Sequence, residues 1–75
     1  MNTGMLWFDN DPKRALAEKI SEAAAYYLKK YKVTADMCMV NPKAVVEPMV
    51  EVPGITVRPM RAMMPGYLWI GAEGA

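Results

Sequence analysis

The chain is expected to adopt an α+β fold, with one long helix packed on one face of a small three- or four-stranded mixed sheet, in the order β-α-β-β-β. Three observations predict this. Apolar residues recur at helical spacing from Pro12 to Lys32 with no glycine or second proline between them. Four short apolar runs lie around that stretch, each bounded by proline, glycine, asparagine or aspartate. A chain of 75 residues has apolar surface for a single core, so 1–75 is read as one domain, with 1–4 and 72–75 expected to fray.

The first run, Met5-Leu6-Trp7-Phe8, is read as a strand closed by Asp9-Asn10-Asp11-Pro12. Asp11 is the expected N-cap and Pro12 the first helical residue, where the missing N–H costs nothing and φ is already helical. The helix stripe is Leu16, Ile20, Ala24, Tyr27, Leu28 and Tyr31. Asp9 and Asp11 at its start, and Lys29, Lys30 and Lys32 at its end, suit the helix dipole.

Met37-Cys38-Met39-Val40, cut off by Asn41-Pro42, is expected to be a buried strand, and Pro42 can open one helical turn through Val46. Glu47 to Val52, broken by Pro48, is read as an extended edge stretch before a Pro53-Gly54 turn. Ile55 to Pro59 alternates as a half-buried strand. Tyr67-Leu68-Trp69-Ile70 forms the last strand, stopped by Gly71, and these two are expected to make a hairpin.

In this arrangement the helix covers Leu6, Phe8, Met37, Met39, Ile55, Val57, Leu68 and Ile70. Trp7, Cys38, Val40, Tyr67 and Trp69 alternate onto the far face, which one helix cannot cover. Monomers seldom expose apolar patches beyond a few hundred Å², so a second copy or a protein partner is expected there.

Composition narrows the chemistry. No histidine is present and Cys38 is the single cysteine, which removes histidine-based acid/base sites, Ser-His-Asp and Cys-His arrangements, Cys/His zinc sites and disulfide scaffolds. Cys38 among apolar neighbours is read as a buried small hydrophobe. Ser21, Thr34 and Thr56 have no evident base to activate them. A net charge of +1 gives neither a strongly basic footprint nor an acidic one. The N-terminal run is too short for a signal-peptide core and no stretch suffices to span a membrane, so the cytoplasm is the expected compartment and no membrane partner is expected.

Asp9 and Asp11 could hold a divalent metal for phosphoryl transfer, although no further acid clearly converges on them and capping accounts for both. Lys13, Arg14, Lys29, Lys30 and Lys32, with Arg58 and Arg61, could follow a phosphate backbone. A solvated helix face explains the lysines equally simply, and Glu47 or Glu51 could pair with the arginines. Met60, Met63 and Met64 cluster beside Tyr67 and Trp69, and flexible methionines with aromatics suit a protein interface.

The expected function is that of a small non-enzymatic interaction protein that self-associates or docks on a larger protein through Trp7, Met60, Met63, Met64, Tyr67 and Trp69. The expectation includes no cofactor, resident metal or small-molecule substrate. Nucleic-acid binding is the alternative, and a metal-dependent enzyme a distant third. Chains of this kind are frequent among phage and mobile-element accessory or inhibitor proteins, which is an association rather than a derivation.

Overall fold

The computed structural model describes residues 3–44 and 52–72. Its elements are β1 (Thr3–Phe8), α1 (Leu16–Tyr31), β2 (Met37–Val40), a 3-10 turn (Pro42–Ala44), β3 (Thr56–Pro59) and β4 (Tyr67–Ala72). This is the expected element order, with one helix on a four-stranded mixed sheet.

The strand order is β1-β4-β2-β3. The last strand enters between the first two and is antiparallel to both, while β2 and β3 pair in parallel. The expected β3–β4 hairpin is therefore absent, because β2 lies between them. The connection after Pro59 carries the chain over the end of β2 instead: the Met60 N–H donates to the Val40 carbonyl (2.7 Å) and Asn41 Nδ2 donates to the Met63 carbonyl (2.7 Å). Both Pro-Gly pairs form tight turns. The Ile55 N–H donates to Val52 O (3.0 Å) and the Tyr67 N–H to Met64 O (3.1 Å), with Gly54 at φ 78° and Gly66 at φ 85°. Proline followed by a residue of positive φ is the signature of a type II turn.

The helix begins later than its capping signal suggests. Asp11 does not cap α1; its Oδ1 accepts from the Lys13 N–H (2.9 Å) in a separate turn, and the N-cap is Ala15, whose side chain makes no cap bond. A local Asx turn competes with helix initiation and wins here. At the other end Lys32 adopts the left-handed conformation, φ 62°, and its N–H reaches Leu28 O.

Packing settles the faces. Ile20, Ala23 and Tyr27 of α1 are buried against Cys38, Val40, Leu68 and Ile70, with Met5, Trp7, Leu16, Ala17, Ala24, Ile55 and Val57 packed around them. The helix stripe is thus rotated from the expected one, and Leu28 and Tyr31 are exposed. On β4 the inner residues are Leu68 and Ile70, as expected. On β1 and β2 the phase is the reverse of the expected one. Met5 pairs with Ile70 and Trp7 with Leu68, and Cys38 and Val40 take the equivalent places on the other side, so these residues face the helix. Leu6, Phe8, Met37 and Met39 lie on the far face.

The sheet continues past its expected ends. Gly71 pairs with both Gly4 and Met37, and Thr3 pairs with Ala72, which is buried. The fraying expected for 1–4 and 72–75 thus does not apply to Thr3, Gly4 or Ala72. The expected edge stretch at 47–51 and helical turn at 45–46 lie outside the described residues.

Gly4 has a packing reason to lack a side chain, since a Cβ there would run into the Trp69 indole. Gly4→Ala should displace Trp69 and lower stability by about 1–3 kcal/mol, the usual cost of overpacking. Of the two indole N–H resonances in a ¹H–¹⁵N spectrum, Trp69's should shift most; an unmoved Trp69 signal would refute this packing.

Candidate functional site

The far face of the sheet carries a row of apolar side chains drawn from three strands. From β1 across β4 to β2 it presents Leu6 and Phe8, Tyr67 and Trp69, and Met37 and Met39, with Thr56 and Arg58 at the β3 edge. Leu6 is 60% and Phe8 53% exposed. The Phe8 and Tyr67 rings meet at a centroid distance of 4.8 Å, and the Trp69 ring lies over Gly4, so the aromatics form a row rather than standing singly. Met37 is buried; the other five reach the surface to differing degrees.

Of the residues expected at an interaction surface, Tyr67 and Trp69 lie on this face. Met60 and Met64 are exposed in the adjoining connection, whereas Met63 is half-buried and its carbonyl is held by Asn41. Trp7 is elsewhere. It packs under the helix with its ring 5.2 Å from that of Tyr26, and its indole N–H is buried with no acceptor. A buried unpaired donor costs about 1–3 kcal/mol, which the apolar burial of the ring offsets. Leu6, Phe8 and Met39 take the places that sequence alternation gave to Trp7, Cys38 and Val40.

The basic residues do not converge. Lys13 precedes the helix, while Lys29, Lys30 and Lys32 lie at its far end, roughly 24 Å away for sixteen residues of helix. Lys30 Nζ is 5.4 Å from the Tyr31 ring centroid. Arg58, the register partner of Met39, is on the opposite face of the sheet, and Arg61 is in the β3–β4 connection. Pairing of these arginines with Glu47 or Glu51 lies outside the described residues.

Arg14 is the residue whose role composition concealed. Its guanidinium bonds Asp9 Oδ2 at 2.9 Å and Glu22 Oε2, with Glu18 at 3.9 Å. The hydrogen bond to Glu22, with the nearby carboxylates, raises its pKa above the ordinary value, so its charge is permanent. Asp9 Oδ1 also accepts from the Asp11 N–H (3.0 Å). Asp9 is therefore committed to joining β1 to the helix, and Asp11 to its own turn. Among the described residues, no three histidine, cysteine, aspartate or glutamate groups come together around a metal-sized space.

Cys38 is fully buried, and desolvation pushes its thiol up to about 12. A groove of about 320 Å³ lies between α1 and the Pro53-Gly54 turn, and among the described residues that line it the side-chain hydroxyls are Ser21 and Thr34 and none is titratable. Among the described residues no helix is long and apolar enough to cross a membrane. The chain matches no protein-family model, no curated protein and no solved structure.

Arg14→Ala should lower the melting temperature more than Asp11→Ala or Glu18→Ala, because it leaves the poorly exposed Asp9 carboxylate without its cation. Added salt should narrow the difference by screening. Equal melting temperatures for the three variants would remove the network from the fold's stabilising interactions.

Cys38 gives a pH dependence of known sign. Its folded pKa lies above the unfolded value of 9.0, so its contribution to stability is whole below about pH 9 and is lost as pH rises towards about 12. A thiol-specific reagent at pH 8 should label it only when denaturant is added; prompt labelling of the native protein would show that the thiol is accessible.

Proposed function

We propose that this protein is a non-enzymatic interaction module that self-associates, or docks on another protein, through the uncovered face of its sheet. One observation carries the reading: a contiguous apolar face built from Leu6, Phe8, Met39, Tyr67 and Trp69, with two large side chains more than half exposed. Solvated singly, exposed apolar residues need no explanation; gathered on one face, they suit a partner. Aromatic and methionine side chains are those enriched at the centres of interfaces.

The state of the reactive groups supports a binding role over a catalytic one. Asp9 is held by Arg14, and the Cys38 thiol is buried and hard to ionise. A protein of the small phage or mobile-element accessory type would be one biological form of this reading.

Light scattering across a dilution series tests it, with a dimer or larger species expected at roughly 100 µM. Trp69→Ala should weaken association by about 2 kcal/mol or more, as for an interface anchor, with the helical circular dichroism retained. A monomer throughout would remove self-association and leave docking on a different protein as the surviving form. Association lost on moderate addition of salt would point to the lysines and arginines instead.

A further inference from the structure

The two edges of the sheet differ, and the difference says which strand takes a partner. Among the described residues β3 is the other edge, and it is blunted: it is four residues long, carries Arg58, and ends on Pro59, which has no N–H to offer. β1 has none of these protections. Its six residues, Thr3-Gly4-Met5-Leu6-Trp7-Phe8, contain no charge and no proline, and among the described residues no strand lies beyond it.

The backbone groups on that open edge can be assigned. The Asp9 N–H donates to Gly66 O at 2.9 Å, which continues the β1–β4 register one step beyond Phe8 and Tyr67 and makes Asp9 and Gly66 a hydrogen-bonded pair. Hydrogen-bonded and non-hydrogen-bonded pairs alternate along an antiparallel ladder, so Trp7, Met5 and Thr3 bond inward to β4. The N–H and C=O groups of Gly4, Leu6 and Phe8 point outward. The side chains of Leu6 and Phe8 stand on the uncovered face, and they are its most exposed large apolar members on the sheet.

We infer that β1 pairs antiparallel with β1 of a second copy, about a two-fold axis at Leu6, joining two sheets edge to edge. This rests on the proposed self-association and places the contact at the strand edge, with the joined outer face still open to a further partner. Centring on Leu6 places Leu6 opposite itself and Gly4 opposite Phe8 of the second copy, each pair exchanging both of its N–H···O bonds. The uncharged strand meets its twin without like-charge repulsion. Phe8 lands beside the Trp69 ring that lies over Gly4 in the other copy, so the two aromatic rows become one continuous face. A two-fold contact of identical edges closes on itself, and the blunted β3 edges stop the joined sheet from growing further.

The edge is short, about 20 Å at the usual rise per residue, and one sheet thick. A contact of that length and thickness buries less than the roughly 800 Å² per partner of a standard stable interface, so dissociation is expected on the order of 10–100 µM.

Single-cysteine cross-linking tests the register. Under mild oxidation Leu6→Cys should form a covalent dimer, because hydrogen-bonded antiparallel partners sit about 5.5 Å apart at Cα, within disulfide range. Phe8→Cys, placed opposite Gly4 and far from its own copy, should not, and neither should Met39→Cys, two strands in from the edge. The unsubstituted protein, with Cys38 buried, is the blank. Cross-linking of Met39→Cys in preference to Leu6→Cys would overturn edge pairing while leaving face-to-face association, and with it the interaction role, in place. A monomer by light scattering at roughly 200 µM, about twice the upper end of that range, with no cross-link from any variant, would overturn this inference and self-association together.

Discussion

The insertion of β4 between β1 and β2 is the constraint on which the rest of the structure depends. β4 is bonded on both sides, and its Leu68 and Ile70 are the residues around which Met5, Trp7, Cys38 and Val40 are aligned. Because β1 and β2 both run antiparallel to β4, they run in the same direction, and the chain must cross the sheet between them. The helix is that crossing. It lies over β4, where Ile20, Ala23 and Tyr27 meet the inner face. One interposed strand thus fixes which face is covered, and by subtraction which face is left to the surroundings.

Electrostatics serves the same geometry. Asp9 follows the last residue of β1 and Arg14 precedes the first turn of α1, and their bond spans the corner where strand becomes helix. Glu18 and Glu22 extend the contact along the helix surface. Exposed ion pairs contribute little individually, but a partly shielded carboxylate held by one guanidinium that also binds two glutamates forms a network rather than a lone pair. Carboxylates that in isolation resemble a metal site are thereby structural. The spacing Asp9, Arg14, Glu18, Glu22 was visible in the sequence, but the helix start was needed to see that these groups share one surface.

Sequence reading found the elements because their boundaries are chemically marked. Asn41-Pro42 ends β2, Pro53-Gly54 and Pro65-Gly66 form the turns, and the unbroken helical period identifies α1. The phase of β1 and β2 was not legible for a physical reason. Met5-Leu6-Trp7-Phe8 and Met37-Cys38-Met39-Val40 are apolar at every position, so a period of two carries no signal to say which residues face inward, and a one-residue slip exchanges the faces. β3, where Thr56 and Arg58 alternate with Ile55 and Val57, was read in the correct phase. Strand pairing was also hidden, since sequence neighbours usually pair and β3 and β4 do not. The candidate surface therefore emerged as a far-face apolar patch with only Tyr67 and Trp69 in common with its final membership.

A continuous apolar run in a strand is the usual mark of burial on both faces, as in sheets covered by helices on either side. Here all three strands that supply the buried sheet residues, β1, β2 and β4, have that character, and among the described residues one α-helix covers one face. A chain of 75 residues has little area to bury, and small domains commonly supplement a thin core with disulfides, metals or association. Cys38 is single and buried, which leaves no disulfide within the chain, and the proposed association would be the supplement that suits the composition of β1 and β2. On the proposed reading, folding and assembly are then linked by mass action: a partner that binds only the folded chain raises its stability with concentration. On that same reading the apolar outer face is the second half of a core whose other wall is another protein molecule.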